Sequence, residues 1–222
     1  MQNEQKLFVT GPAGRLETVV TLPEELPCGL AVVAHPHPLY QGSMDNKIVY
    51  ILTRAFIEQQ YITVKFNFRG VGASEGSYAE GKGEIEDVIA VTQAMREQYD
   101  TGPEPLPLTL AGFSFGGAVQ AHVAQQLKPC RLVLVAPAVE RLQAPPVVDH
   151  ARHILVIQGD QDTIVPLQSV LNWAAPQTLP VTVIPGAEHF FHGKLYVLKN
   201  IILQSQCCSL YDHRRPIMAQ IE

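Results

Sequence analysis

The stretch that most constrains the fold is residues 106–117, LPLTLAGFSFGG, near the middle of the 222-residue chain. It starts as a mostly apolar strand and continues into G-x-S-x-G centred on Ser114. A strand that ends in this motif and runs directly into a helix forms a nucleophile elbow, which lifts the serine hydroxyl above the carboxyl edge of a sheet. Side chains at Gly112 and Gly116 would collide with neighbouring backbone in so tight a turn. The next helix, predicted over 116–127, points free N–H groups at the hydroxyl.

Composition and charge narrow the class of protein. The chain is 46% hydrophobic, which at this length suits one domain whose core buries roughly 70% of the unfolded surface. The net charge of −5 gives no basic footprint, so we expect neither a nucleic-acid partner nor a membrane partner. The longest apolar run, residues 132–139, is too short to span a bilayer, and the start, MQNEQKLF, has no signal-peptide pattern. The four cysteines lack metal-ligand spacing, and we predict a reduced, cytoplasmic protein.

Apolar runs alternate with helical patterns along the chain. Two strands joined by a turn open it, and helices separate the later strands, as parallel strands require. The predicted strands are 6–10, 16–22, 30–34, 62–66, 106–111, 131–135, 154–158 and 181–184, and the predicted helices are 44–60, 80–99, 116–127, 166–174 and 194–203. The predicted fold class is α/β, a mostly parallel twisted sheet with antiparallel N-terminal strands and helices on both faces. We assign residues 1–206 to a single domain and residues 207–222 to a tail whose order the sequence leaves open.

A serine hydroxyl becomes a nucleophile when a base lies within hydrogen-bond reach and an acid orients that base. Two later loops carry such residues directly after apolar strands: GDQDT from residue 159 and GAEHFFH from residue 186. Both loops therefore lie at the same sheet edge as Ser114, and the order serine, acid, histidine is the one expected for an elbow on this kind of sheet. The candidate acids are Asp160 and Asp162, and the candidate bases are His189 and His192.

The sequence resembles the α/β-hydrolase superfamily over nearly its whole length, through GFSFGG, GDQDTIVP and GAEHFFHG. More narrowly, AHPHPLYQGSMDNKIV, FNFRGVGASEG and GAEHFFHGKL resemble a small bacterial group of lid-less predicted hydrolases. The resemblance implies an α/β-hydrolase fold without a cap domain. It maps the catalytic acid, the fourth residue of G-x-x-D, onto Asp162 and leaves Asp160 as a turn-forming residue. It maps the base, the histidine closest to its strand, onto His189, with His192 as the alternative.

The oxyanion of the reaction needs two preorganised backbone N–H donors. One comes from the residue after the nucleophile, Phe115, and the other from the loop after the strand at 30–34. In the superfamily this loop often begins His-Gly-x, and the matching register in HPHP places the second donor at His37. Pro36 and Pro38 have no N–H to donate. Leu39 and Tyr40 are the alternatives.

The glycine-rich segment at 67–76 leaves two interpretations for Arg69. The side chain either lines the active site and touches substrate, or forms a structural ion pair beside a tight turn, which is the interpretation that we favour. On the helix after this segment, Glu84, Glu86 and Asp87 are predicted to form a solvated face rather than an acid–base pair.

No cap domain is expected, because only residues 137–153 separate the strand after the elbow helix from the acid strand. This length fits a short helix and two loops, so we expect an open groove and a broad choice of substrates. The predicted function is hydrolysis of small ester-like substrates through an acyl-enzyme, with no metal and no organic cofactor. A thioesterase or peptidase using the same residues, and a catalytically silent binding protein of the same fold, are the alternatives. The sequence leaves the oligomeric state open.

Overall fold

A computed structural model describes residues 3–205 of the chain, so the predicted tail at 207–222 lies outside the described residues. The strands are β1 (Asn3–Gly11), β2 (Gly14–Leu22), β3 (Gly29–Ala34), β4 (Tyr61–Phe66), β5 (Leu108–Phe113), β6 (Arg131–Val135), β7 (His153–Gly159) and β8 (Val181–Ile184). Within the described range they form one eight-stranded sheet in the order β1-β2-β4-β3-β5-β6-β7-β8. β2 pairs antiparallel with β1 and β4, and the remaining neighbours are parallel. The predicted α/β sheet with antiparallel N-terminal strands is confirmed.

Helices cover both faces of this sheet, as predicted. They are α1 (Lys47–Glu58), α2 (Lys82–Tyr99), α3 (Phe115–Leu127), α4 (Leu167–Ala174) and α5 (Leu195–Gln204). α1 and α5 pack on one face, and α2, α3 and α4 contribute to the apolar core on the other. Among the described residues, none of the helices combines the length and the apolar character needed to cross a membrane. The cytoplasmic location stays a prediction.

Central strands that are buried on both faces fix the position of the elbow. Every residue of β3 and β5 is buried. Alternate side chains pack into the apolar cores on opposite faces of the sheet. Leu30 and Val32 pack on the α2–α3 side, and Ala31 and Val33 on the α1–α5 side. Such strands read as continuous apolar runs because neither face meets water. Ser114 follows β5 at the carboxyl edge, where ligands bind in sheets of this kind.

Helix α1 begins three residues later than predicted. The residue that caps the helix is Asn46, whose side-chain oxygen accepts a hydrogen bond from the N–H of Ile48 at 2.8 Å. The N–H of Met44, predicted to be helical, instead donates to the side chain of Asn67 at 2.9 Å. Ser43, which precedes the predicted helix, is an equally good cap residue by type, so the contact of Met44 with a distant loop decides where the helix begins.

The carboxylates at the start of α2 contradict the predicted solvated face. Glu84 and Asp87 are fully buried, and only Glu86 is exposed. Glu84 accepts the backbone N–H groups of Ala79 and Gly81 at 2.9 and 2.8 Å. The prediction was wrong because the preceding loop folds over this end of the helix and supplies donors to both buried carboxylates.

The segment between β6 and β7 is short and forms no cap. Residues 136–152, all within the described range, contain turns and no helix. The short helix predicted there is therefore absent, while the expectation that no cap domain is inserted here is confirmed.

Candidate active site

Ser114 sits at the turn between β5 and α3 with backbone angles of φ 54° and ψ −116°, outside the regions that residues with side chains normally adopt. The glycines on either side make the turn possible. A Cβ at Gly116 would lie far inside the contact distance of the carbonyl oxygens of Ala34 and His35, and one at Gly112 would meet the backbone of Gly116. The elbow is therefore pressed against the end of β3, which brings the serine next to the loop predicted to supply an oxyanion donor.

The structure brings Ser114, His189 and Asp162 into one hydrogen-bonded chain. The Nε2 atom of His189 lies 3.1 Å from the Ser114 Oγ, and its Nδ1 lies 2.7 Å from the Asp162 Oδ2. A carboxylate can only accept, so Nδ1 carries the proton and Nε2 accepts the serine hydroxyl. All three residues are buried. This arrangement can remove the serine proton during attack on a carbonyl carbon.

The side chain of Asp162 is held by hydrogen bonds to both of its oxygens. Oδ1 accepts the N–H groups of Ile164 and Val165 at 2.9 and 2.8 Å, and Oδ2 accepts from His189 and Gln158. Burial raises the pKa of Asp162, but the hydrogen bonds from His189 and the two amides outweigh it and keep the pKa below its usual value. The carboxylate is thus ionised and fixed in orientation.

Gln158 is a member of the site that the sequence analysis missed. It is fully buried near the end of β7, and its Nε2 donates to the Asp162 Oδ2 at 3.0 Å and to the Val165 carbonyl at 2.8 Å. The available signal was a glutamine at the end of the otherwise apolar run ILVIQ. A buried amide nitrogen needs acceptors, and the acid loop directly after this strand provides them.

The two alternative residues are engaged elsewhere. The Asp160 Oδ1 accepts the N–H of Gly186 at 2.6 Å, which ties the acid loop to the histidine loop. His192 is exposed and pairs through Nδ1 with Glu188 at 2.9 Å. Neither side chain joins the hydrogen-bonded chain that includes Ser114.

Two predicted oxyanion donors, Phe115 and His37, keep their backbone N–H groups free of hydrogen bonds to other described residues. The alternatives do not, since the N–H of Leu39 donates to the His37 Nδ1 at 3.2 Å and the N–H of Tyr40 to the His37 carbonyl at 3.1 Å. Both free amides belong to residues that line the groove above Ser114. Both N–H groups are therefore free to donate to a ligand atom there.

His35, at the start of the same loop, fixes the direction of the His37 amide. Its Nδ1 donates to the Pro36 carbonyl at 2.6 Å, and its Nε2 accepts the N–H of Phe68 at 3.0 Å. The C=O and N–H of one trans peptide point in opposite directions, so anchoring the Pro36 carbonyl turns the His37 N–H away from His35. Burial lowers the pKa of His35 to about 4, which keeps the ring neutral and able to make both bonds.

A groove of about 780 Å³ opens above Ser114. Its walls are mostly apolar and come from the elbow and from four loops at the carboxyl edge of the sheet. The apolar side chains include Ala138, Val139, Ile164, Val165, Pro166 and Phe190. Apart from His37 and His189, its ionisable side chains include Glu140 and Arg141. A groove of this kind suits a small substrate with a largely apolar body.

Comparisons with known proteins show the family to which the chain belongs. A family model described as serine aminopeptidase, S33, matches residues 46–156, a span that includes Ser114 and ends before Asp162 and His189. The structure of an alpha-beta serine hydrolase homologue from Coxiella burnetii is 38% identical, with a TM-score of 0.84, and the match covers 93% of this chain and 99% of that one. The chain belongs to the α/β serine hydrolases. The expected membership of the α/β-hydrolase superfamily is thereby confirmed.

Two further relatives of this α/β serine hydrolase extend the comparison. The structure of XC6422 from Xanthomonas campestris, a serine hydrolase without a lid, is 38% identical with a TM-score of 0.82, and the match covers 91% of this chain and 93% of that one. An uncharacterized protein of Rickettsia prowazekii (strain Madrid E) is 31% identical over 209 residues, which cover 85% of this chain and 83% of that protein.

Arg69 lies outside the groove of this hydrolase. Its side chain is buried and binds Asp87 through Nε at 3.0 Å and Nη2 at 2.7 Å, while its N–H donates to the same carboxylate at 3.0 Å. The hydrogen bonds to Asp87 raise the pKa of Arg69. The structural interpretation of this arginine is confirmed, and contact with substrate is not expected.

Proposed function

We propose that the protein is a serine esterase that hydrolyses small ester-like substrates through Ser114, His189 and Asp162. The observation that carries this proposal is the continuous chain of hydrogen bonds, 3.1 Å from serine to imidazole and 2.7 Å from imidazole to carboxylate, at the floor of an apolar groove. In geometry and in order along the chain it is what acyl transfer requires.

In the proposed mechanism, the Ser114 Oγ attacks the ester carbonyl while its proton passes to the His189 Nε2. The carboxylate of Asp162 stabilises the resulting imidazolium. The negative oxygen of the tetrahedral intermediate accepts hydrogen bonds from the backbone N–H groups of Phe115 and His37. Each of these hydrogen bonds contributes about 3–4 kcal/mol to transition-state stabilisation. The intermediate collapses, and the alcohol leaves with the proton from His189.

Water then completes the cycle. His189 takes a proton from a water molecule as that water attacks the acyl-serine carbonyl, and the second tetrahedral intermediate forms on the same two amides. Its collapse releases the carboxylic acid and returns the proton to the Ser114 Oγ. Each step uses only side chains and amides of this chain, and we propose no metal or organic cofactor.

A peptide substrate is the second candidate. The observation that favours it is the family model, described as serine aminopeptidase, that matches residues 46–156. An aminopeptidase must bind a free ammonium group beside the scissile bond, and Glu140 is the acidic side chain that lines the groove. Parallel assays with nitrophenyl esters, thioesters and aminoacyl anilides would separate the three reactions.

The first test is Ser114→Ala. We expect the kcat for short-chain nitrophenyl esters to fall about 10⁶-fold, because loss of the nucleophile removes the whole covalent route. Circular dichroism and urea unfolding should show a folded protein. Retention of activity in the variant would place the nucleophile elsewhere.

A fluorophosphonate probe supplies the control for a silent binding protein. An activated serine is labelled, whereas an inert one is not, so the wild type should react and Ser114→Ala should not. Absence of labelling in the folded wild type would contradict the proposed esterase function.

A further inference from the structure

The groove carries one positive charge that the rest of the site does not use. The guanidinium of Arg141 lines the groove on the side of the predicted oxyanion loop. It makes no ion pair with a carboxylate of residues 3–205. Arginines 15, 54, 69 and 96, in contrast, each have a carboxylate partner.

This guanidinium lies against an exposed aromatic ring. Its carbon lies 5.1 Å from the ring centroid of Tyr40, and Nη2 reaches the Tyr40 hydroxyl at 3.5 Å, the limit of a hydrogen bond. A guanidinium that contacts a ring face keeps N–H donors available for a ligand. The arginine therefore contacts Tyr40 without being neutralised.

A series of tilted ring contacts connects the charge to the reacting centre. The Tyr40 ring packs on His37 at 4.7 Å, and His37 packs on Phe115 at 4.8 Å. The two residues beneath Tyr40 are those whose amides are the proposed oxyanion donors. Burial lowers the pKa of His37 to about 4, and the charge of Arg141 acts in the same direction, as expected for a nearby cation.

From these contacts we infer that the groove takes esters that bear a carboxylate, and that Arg141 binds this carboxylate. The inference rests on the proposed esterase function and names the substrate class of that same site. A single arginine matches a singly charged, planar carboxylate through two parallel hydrogen bonds. A doubly charged phosphate would keep one charge that Arg141 does not neutralise, and Glu140 on the same groove wall would repel it.

The test compares charged with neutral esters of equal chain length. One series uses 4-nitrophenyl monoesters of dicarboxylic acids from succinate to suberate against nitrophenyl esters of the matching monocarboxylic acids. A second places the charge on the alcohol, with 4-acetoxybenzoate against phenyl acetate. The kcat/KM values are measured for the wild type, Arg141→Gln and Arg152→Gln, the last being an exposed arginine that precedes β7 at the opposite end of the sheet.

We expect Arg141→Gln to lower kcat/KM for the preferred charged series about 10- to 100-fold relative to the matching neutral esters, because it removes a charge-assisted hydrogen bond to the charged substrate. Arg152→Gln should change neither series. Glu140→Gln should act in the opposite direction and raise kcat/KM for charged esters, because it removes a repelling carboxylate.

An unchanged ratio of charged to neutral kcat/KM in Arg141→Gln, across both series, would overturn the inference. Equal loss on both kinds of ester would overturn it too, since that pattern indicates a structural effect. Turnover of neutral esters by the wild type reports the esterase function separately, so failure of the inference alone is recognisable.

Discussion

Asp162 and Asp160 lie two residues apart in one loop, and their contacts differ. Asp162 accepts four hydrogen bonds, one of them from His189, whereas Asp160 accepts the N–H of Gly186. Either side chain satisfied the order of residues along the chain. The contacts therefore support the assignment of the acid to Asp162 more strongly than the motif could.

Paired variants of these aspartates test the assignment. Asp162→Asn should lower kcat for a nitrophenyl ester about 10⁴-fold, because an amide in place of the carboxylate favours the wrong imidazole tautomer. Asp160→Asn should leave kcat largely unchanged, because its amide oxygen can still accept the N–H of Gly186. The reverse pattern in steady-state kinetics would move the acid to Asp160.

The motifs in the sequence did not reveal the positioning contacts of Gln158 and His35. The motifs identified Ser114, Asp162 and His189 because each lies in a loop that begins at the end of a strand. The positioning role of Gln158 depends on the fold of the acid loop behind it, and that of His35 depends on Phe68, which is 33 residues away. Such contacts leave no local pattern in the sequence.

The strands and helices of the sheet were predicted well, but the residues at which they begin and end were predicted less well. Neither face of β3 or β5 meets solvent, so a plain apolar run identified them. The start of α1 was misplaced because Met44 bonds to a distant loop. The buried face of α2 was misjudged because Asp87 is polar and yet lies inside, paired with Arg69. Burial of a charge depends on its partner, which the helical pattern does not contain.

The pairing on α2 gives a stability prediction. Asp87→Ala should lower the free energy of unfolding by about 3–5 kcal/mol, because it leaves the buried Arg69 without its main partner. Glu86→Gln, at an exposed carboxylate on the same helix that also contacts Arg69, should change it by no more than about 1 kcal/mol. Urea unfolding of both variants at pH 7 measures the difference. Equal effects would mean that the buried pair stabilises the protein no more than the exposed pair does.

For the whole molecule, the fold was the part most open to prediction, because alternation of strands and helices permits few arrangements. The parallel sheet and both helical layers follow from that alternation. The boundary predicted at residue 206 lies outside the described residues and stays a prediction.

The free energy of unfolding of the protein should depend on pH through His35. Burial lowers the pKa of His35 from 6.5 to about 4, so between these values the unfolded chain binds a proton that the folded chain does not. The resulting stabilisation of the folded protein is fully present above about pH 6.5 and is lost as the pH falls towards 4. The loss amounts to up to about 3 kcal/mol, since one pKa unit corresponds to about 1.36 kcal/mol.

Urea unfolding of the wild type and of His35→Asn across this range isolates the effect. Because carboxylates titrate in both proteins, the difference between the two curves reports the histidine alone. The variant should be less stable than the wild type at neutral pH, and its free energy of unfolding should fall less on acidification. Parallel curves would contradict the assigned role of His35.

The turns at residues 136–152 have a consequence for turnover. Where other hydrolases carry a cap, this chain has no segment in that range that must swing aside before a product departs. On the proposed mechanism, the pace of each cycle is then set by the making and breaking of bonds at the serine. The acyl group stays within reach of bulk solvent throughout, so water faces little competition from other acceptors.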